Sequence, residues 1–253
     1  MSEISTLEML AKLIDEKKPK VVVDLGSGYG EKDKTNGHIN DYFLPAAEKY
    51  PETAFIGIDN DYTPENMPKD LPNTKHIYGD IRNIPLEEGV SDITFDAGCS
   101  GWVLSSENGY KVFEEIHRIT RNGGIGFIEV GSEFLQVLPK EKTKQKKLKE
   151  LVNEAYRVGK ISDEGGGYHL DVSNEKYSKL YDEIRKIVDV PMEDVMNSFG
   201  LQIIEKIPYD LERHEDPQYT YLWKKGEKKN HAPINLLGTG YKMLERIQNE
   251  LGE

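Results

Sequence analysis

The sequence predicts an α/β fold built on a mostly parallel sheet. Three observations predict it. Short apolar runs end in an acidic residue, at Val21 to Asp24 and again at Ala54 to Asp59. Runs of this kind are covered on both faces, which is the condition of a parallel strand. Segments with helical spacing alternate with them, as at Val112, Phe113, Ile116 and Ile119. The chain has 253 residues and one cysteine, so it is long enough to bury a full core and holds no internal disulfide framework.

The first element is a helix. Ser2 to Lys17 is amphipathic, with Ile4, Leu7, Leu10, Leu13 and Ile14 at helical spacing, and reads as a covering helix ahead of the first strand. Nothing in the first thirty residues resembles a signal peptide, and no apolar run is long enough to span a bilayer. With the lone Cys99, this leads to the expectation of a cytoplasmic protein without membrane contact.

The first strand, Val21 to Val23, runs into Asp24, Leu25 and three alternating glycines, Gly26, Gly28 and Gly30. Glycines so placed make a tight turn whose N–H groups can approach a ligand closely. A dinucleotide fingerprint would put its third glycine at position 31, where this chain has Glu31. A carboxylate there would repel a pyrophosphate, so the loop suits a nucleoside ligand without phosphates. Strand, acid and G-x-G-x-G resemble the first motif of the class I S-adenosylmethionine-dependent methyltransferases.

Three further segments extend the resemblance. Ala54 to Asp61 is a second strand ending in an acid. Ligands of open parallel sheets sit beyond such strand ends, and an acid there can accept both hydroxyls of a ribose. The resemblance assigns Asp59 to the ribose, with Asn60 beside it; Asp61 reads as a cap or turn acid. His76 to Ile81 is a third strand followed by Gly79-Asp80. The resemblance sets Asp80 against the exocyclic amine of adenine and the N–H of Ile81 against a ring nitrogen, a complementary acceptor and donor. Asp92 to Leu104 reads as a fourth strand and the turn beyond it. A helix from Glu107 to Thr120 follows, capped by Ser105 or Ser106. Then come a Gly123-Gly124 turn and the strand Ile125 to Val130.

This block is similar to the small-molecule branch of the family, the quinone and methyltransferase-type 11-like enzymes. What the resemblance implies is a Rossmann-like, seven-stranded, mostly parallel sheet with helices on both faces and an antiparallel last strand. It further implies one methyltransferase domain over 1–253. Its parts are a cofactor-binding core at 1–130, a substrate-covering insertion at 131–198, and a terminal strand pair with a helix at 199–253. The implied cofactor is S-adenosylmethionine, with S-adenosylhomocysteine as product. Gly26, Ser27, Gly28 and Gly30 would cradle the methionine part, and Gly98, Cys99 and Trp102 would line the region near the sulfonium. Tyr168 and His169, in the insertion near Gly165 to Gly167, are the residues there best suited to touch an acceptor. One departure is an added polar loop, Glu31 to His38, before a helix from Ile39 to Tyr50.

The rest of the chain completes the picture. Leu201 to Ile207 and Gln218 to Lys224 read as the terminal strands, with Pro208 and Pro217 marking breaks. The insertion holds helices near 144–158 and from Glu175 to Val188, with a short third one after Pro191. A last helix runs from Gly240 to Leu251.

A net charge of −12 argues against general condensation onto phosphate backbones. Lys140, Lys142, Lys144, Lys146, Lys147 and Lys149 form a basic stretch, but no aromatic residue interleaves them to stack bases, so it reads as a solvated helix face. No Cys/His cluster has metal-ligand spacing, and no metal is expected. The chain lacks an Asn/Asp-Pro-Pro-aromatic segment after the fourth strand, which in this family disfavours methylation of base amines. The expectation is methyl transfer to a small molecule, with no side chain assigned as acid or base. The alternatives are a non-catalytic cofactor-binding regulator or scaffold, and a methyltransferase of RNA or protein.

Overall fold

A computed structural model describes residues 6–28, 43–63, 71–104, 106, 108–131, 133–158, 174–209, 218–228, 236–237 and 240–251. In chain order the first elements are α1 (Thr6–Lys17), β1 (Val21–Leu25), α2 (Phe43–Lys49), β2 (Ala54–Asp59), β3 (Thr74–Tyr78), β4 (Ser91–Asp96), α3 (Cys99–Leu104), α4 (Lys111–Ile119) and β5 (Thr120–Val130). They are followed by β6 (Phe134–Gln136), α5 (Lys142–Val158), α6 (Glu175–Val188), β7 (Asp189–Pro191), α7 (Met192–Ser198), β8 (Leu201–Tyr209), β9 (Gln218–Lys225) and α8 (Gly240–Leu251). The chain divides into two compact units, one of Met1–Leu104, Gly109–Glu133 and Met196–Asn230, the other of Ser105–Asn108, Phe134–Val195 and His231–Glu253.

The first unit carries a seven-stranded sheet in the order β3-β2-β1-β4-β5-β9-β8. The pairs among β1 to β5 are parallel, while β9 runs antiparallel to both β5 and β8. This is the expected mostly parallel α/β sheet, with the last strand in sequence antiparallel. The strand order reverses between β1 and β4, and this reversal positions the site described below.

Burial explains why β1 forms where it does. Val22 and Val23 are fully buried, and the face shared by Val22, Phe55, Ile93, Phe95 and Phe127 receives Met9, Leu10, Leu13 and Ile14 of α1 and Phe43, Ala46 and Ala47 of α2. Leu10, Leu13 and Ile14 make one helical stripe, and each large apolar side chain so buried stabilises by about 1.5–3 kcal/mol. Phe95 and Phe127 stack with ring centroids 5.1 Å apart. Asp92 locks the start of the sheet: its carboxylate accepts the N–H groups of Lys20 (2.5 Å) and Val21 (2.8 Å) and pairs with Arg121.

Some boundaries differ from the sequence reading. The helix expected from Glu107 starts at Lys111, and its N-cap position, Tyr110, makes no side-chain cap. The chain turns first, through Asn108 at φ +58° and through Gly109, where an added Cβ would lie 2.4 Å from the carbonyl oxygen of Val103. Ser106 therefore lies four residues ahead of the N-cap position, and Ser105 lies outside the described residues. Gly123 and Gly124 lie inside β5, not in a turn ahead of it. Thr120 pairs with Ser91 and Ile125 with Ile93, so the extra residues of β5 are taken up as a bulge. Pro208 sits within β8 opposite Tyr219, and an edge strand tolerates the missing donor. The part of the α2 helix expected before Phe43, the Glu31 to His38 loop and Gly165 to Gly167 lie outside the described residues.

The second unit is helical. Leu148, Val152 and Ala155 of α5 pack with Tyr177, Ile184 and Val188 of α6 and with Met243, Leu244 and Ile247 of α8. Asn174 caps α6, its side-chain oxygen accepting the N–H groups of Lys176 (3.0 Å) and Tyr177 (3.3 Å). The tail helix thus joins the helices of the 131–198 segment. A two-stranded sheet of β6 and β7 also belongs here; three residues per strand carry no readable period. Lys140, Lys142, Lys144, Lys146 and Lys147 are exposed, and Glu141 pairs with Lys144 at 2.9 Å. Among the described residues no helix is long and apolar enough to cross a membrane.

Candidate cofactor site at the reversal of strand order

The loop after β1 leaves the sheet slowly. The N–H groups of Gly26 (2.7 Å) and Ser27 (3.2 Å) still donate to the carbonyl of Ile58 in β2. Gly26 (φ +72°) and Gly28 (φ +66°) then turn the chain in the left-handed region that favours glycine. The N–H of Gly28 donates to Oδ2 of Asp59 at 2.9 Å, and that of Asp61 donates to Oδ1 at 2.8 Å. The tips of β1 and β2 are therefore joined through one carboxylate. The buried hydroxyls of Ser27 and Tyr62 hydrogen-bond each other. Gly57 makes room for this pair, because a Cβ there would lie 2.5 Å from Ser27 Oγ.

On the other side of β1, Asp96 ends β4 and its Oδ1 accepts the N–H of Cys99 at 2.7 Å, starting α3. The β1 loop packs directly on this turn. A Cβ built on Gly26 would stand 2.2 Å from Cys99 Cβ and 2.5 Å from its Sγ. Beside Gly28 and beside Gly98 (φ +106°) there is room instead: no described atom lies within 4 Å of an added Cβ. Among the described residues, two close-packed loops with nothing crowding a glycine of each stand where strand order reverses, the place at which ligands of such sheets bind.

Among the described residues, the charged groups acting on Asp24 and on Cys99 are all carboxylates. Asp24 is fully buried, and neither carboxyl oxygen has a hydrogen-bond partner among the described residues. Burial holds its pKa well above the usual carboxylate range, with Asp96, Asp59 and Glu129 adding to the effect. Burial also pushes the Cys99 thiol up, followed by the fields of Asp96, Asp59, Asp24 and Asp61. Cys99 is thus a thiol, the wrong state for a nucleophile. Glu129, near the end of β5, is raised to about 7 by burial and by Asp96, against the hydrogen bond it accepts from Thr6 Oγ1 at 2.7 Å.

Asp80 follows β3 and is already engaged. It accepts the N–H of Arg82 at 2.8 Å, and the Arg82 guanidinium grips both its oxygens at 2.7–3.0 Å, which lowers its pKa. Ile81 beside it is buried. The segment after them is held by α4. Arg118 donates to the carbonyls of Ile84 (2.7 Å) and Leu86 (2.6 Å) and pairs with Glu115, whose carboxylate accepts the Ile84 N–H at 2.6 Å.

The structure thus brings Gly26, Ser27, Gly28, Asp59, Gly98 and Cys99 together. Asn60 is exposed next to Asp59. Trp102 belongs to α3, its side chain lying outside the described residues, as do Gly30, Tyr168 and His169. Sequence reasoning did not single out Tyr62, Glu129, Glu115 or Arg118. Glu129 carries the signal used for Asp24 and Asp59, an acid ending an apolar run; Tyr62 and the Glu115–Arg118 pair carry none. Among the described residues no group of three or more His, Cys, Asp or Glu side chains is placed to hold a metal ion.

No protein-family model matches the chain. No curated protein matches it. Solved structures do. A 1,6-didemethyltoxoflavin-N1-methyltransferase from Burkholderia thailandensis is 12% identical, with 86% of this chain and 76% of that one covered and a TM-score of 0.46. A TehB-like SAM-dependent methyltransferase from Corynebacterium glutamicum is 15% identical, with coverages of 85% and 86% and a TM-score of 0.45. A variant of the 16S rRNA (adenine(1408)-N(1))-methyltransferase from Catenulisporales acidiphilia is 14% identical, with coverages of 89% and 94% and a TM-score of 0.43. Likenesses of this size say nothing about what this chain binds.

Proposed function

We propose that this protein is an S-adenosylmethionine-dependent methyltransferase acting on a small-molecule acceptor. One observation carries the reading: the Asp59 carboxylate at the tip of β2, held at one oxygen by the Gly28 N–H and at the other by the Asp61 N–H. A carboxylate fixed this way keeps lone pairs for a vicinal diol and is oriented before any ligand arrives.

The residues fit the group. Gly26, Ser27 and Gly28 would offer main-chain amides to the methionine part, with Gly30 continuing the loop, and the space beside Gly28 and Gly98 admits a ligand. Asp59, with Asn60 next to it, would take the ribose. At the adenine end the N–H of Ile81 would meet a ring nitrogen, while Asp80 would share its carboxylate with Arg82. The acidity of the site supports a ligand without phosphates, because the carboxylates of Asp59, Asp61 and Asp96 would repel a pyrophosphate.

S-adenosylmethionine supplies an already activated methyl group, so the chain need not provide a nucleophile. What its residues contribute is orientation at fixed strand ends and exclusion of water. Gly98, Cys99 and Trp102 would line the transfer region, with Tyr168 and His169 as acceptor contacts. The acidic net charge and the exposed, aromatic-free lysine face of α5 support a small acceptor over RNA. A single cysteine fits a reducing cytoplasm.

Calorimetric titration tests the cofactor: S-adenosylmethionine or S-adenosylhomocysteine is expected to bind, and NADH is not. The reverse result overturns the reading. Transfer of a labelled methyl group across a panel of small hydroxylated, amino and thiol acceptors then tests the activity. Labelling of RNA but of no small molecule would overturn the acceptor class.

A further inference from the structure

We infer that Tyr62 is a positioning residue for the cofactor site: its hydroxyl anchors Ser27, and through Ser27 it keeps the Gly28 N–H on the Asp59 carboxylate. The inference rests on the proposed cofactor reading and adds a residue to its site.

The turn at 26–28 has little stiffness of its own. Gly26 and Gly28 both stand at positive φ, and glycine gives up more backbone freedom than any other residue when it is held. The main-chain bond at the middle of the turn, from the Ser27 N–H to the Ile58 carbonyl, is 3.2 Å, the long end of the normal range. Ser27 is the one residue of the turn with a side chain beyond hydrogen. That side chain is buried, and its hydroxyl is hydrogen-bonded to the buried hydroxyl of Tyr62. It works as an anchor beneath the turn.

Tyr62 is itself held firmly. It follows Asp59 by three positions, so one stretch of chain supplies both the carboxylate and the anchor. Its ring meets that of His76 edge-on, with centroids 5.6 Å apart, and His76 packs on Phe43 at 5.2 Å. β3 and α2 thus support the phenol from behind. Gly57 in β2 leaves the space: a Cβ there would lie 2.5 Å from Ser27 Oγ and 3.1 Å from His76 Cδ2. A phenol seated this way fixes the Ser27 hydroxyl. Gly28, the next residue, then donates to Oδ2 of Asp59 at 2.9 Å while Asp61 donates to Oδ1. Released from its anchor, Gly28 is free to leave Asp59, and the carboxylate loses one of the two donors that orient it toward a ribose.

The test is calorimetry on the full chain with S-adenosylhomocysteine and its 2′-deoxy analogue, with urea unfolding alongside. The natural chain is expected to prefer the compound with both ribose hydroxyls. Tyr62→Phe keeps the ring and deletes the hydroxyl. It is expected to weaken S-adenosylhomocysteine about three- to tenfold, the worth of one hydrogen bond, and to weaken the analogue less, so that the preference shrinks. A ring that serves packing alone leaves that ratio where it was. Ser27→Ala combined with Tyr62→Phe removes both hydroxyls. It is expected to regain most of the urea midpoint lost in Tyr62→Phe, because no buried hydroxyl is left behind, while affinity stays low. The double variant also carries the test if Tyr62→Phe does not fold. An affinity or a ratio unchanged in Tyr62→Phe overturns the inference, as does affinity that returns with the midpoint in the double variant, or equal binding of the two compounds by the natural chain. Binding of neither compound by the natural chain overturns the cofactor reading itself, a distinct result.

Discussion

Gly26 and Cys99 touch so closely that neither loop can move toward the other: a Cβ on Gly26 would lie 2.2 Å from that of Cys99. Gly28, two residues on, has the same left-handed backbone but open space beside it. The two glycines therefore answer different demands. Gly28→Ala adds only backbone strain and is expected to cost about 1 kcal/mol. Gly26→Ala adds overlap with Cys99 and is expected to cost about 3 kcal/mol or more. Urea unfolding of both variants checks the difference, and equal losses would show that the Gly26–Cys99 contact does not constrain the loop.

Asp59 should be separable from its neighbours by charge alone. Asp59→Asn keeps one oxygen acceptor for the loop amides but loses the carboxylate. S-adenosylmethionine affinity is expected to fall about tenfold, or about 1.4 kcal/mol. Asn60→Ala, at an exposed side chain, should change it less than threefold. Titration calorimetry measures both, and an unaltered affinity in Asp59→Asn would remove Asp59 from the site.

Glu129 should make stability depend on pH with a definite sign. Its folded pKa is raised from the ordinary 4.5 to about 7 by burial. Between those values the unfolded chain has released the proton and the folded one has kept it. Stability from this group is thus present below about pH 4.5 and is lost as pH rises through 7, by about 3 kcal/mol in all. Glu129→Gln retains an acceptor for Thr6 and has no proton to lose. The stability difference between the two proteins is expected to grow in favour of the variant from pH 5 to 8, and a flat difference would contradict the assignment.

Arg118 is expected to hold the segment after Asp80. Arg118→Met removes donors from the carbonyls of Ile84 and Leu86 and leaves Glu115 without its guanidinium. The expected loss is about 2–3 kcal/mol, with faster hydrogen exchange at the amides of Arg82 to Gly89. Removing Glu115 as well should cost less than the sum of the two single changes. Additive losses would mean that the pair does not act as one clamp.

Several parts of the fold and site are legible in the sequence. The acids Asp24 and Asp59 announce themselves as closing apolar runs, and the alternating glycines mark the turn at β1. Helices α6 and α8 are legible to the residue, because their apolar stripes are regular. The start of α4 is not, since Gly109 passes close to the backbone of Val103, an approach no local pattern records. The bulge in β5 reads locally as a turn for the same reason: Gly123 has turn character, and only pairing with β4 shows that the strand has already begun.

The sequence by itself determined which segments become the seven strands of the main sheet, that β1 and β2 carry an acid near their ends, and that glycines open the loop after β1. These are properties of short stretches, set by local burial and backbone freedom. Only the tertiary structure decided that Gly28 grips Asp59, that Cys99 presses on Gly26, that Arg82 claims Asp80, and that Asp24 is left buried among other carboxylates. Those relations join residues dozens of positions apart. They arise from parallel pairing, which sets the tips of β2, β1, β4 and β5 side by side although the chain visits them in another order.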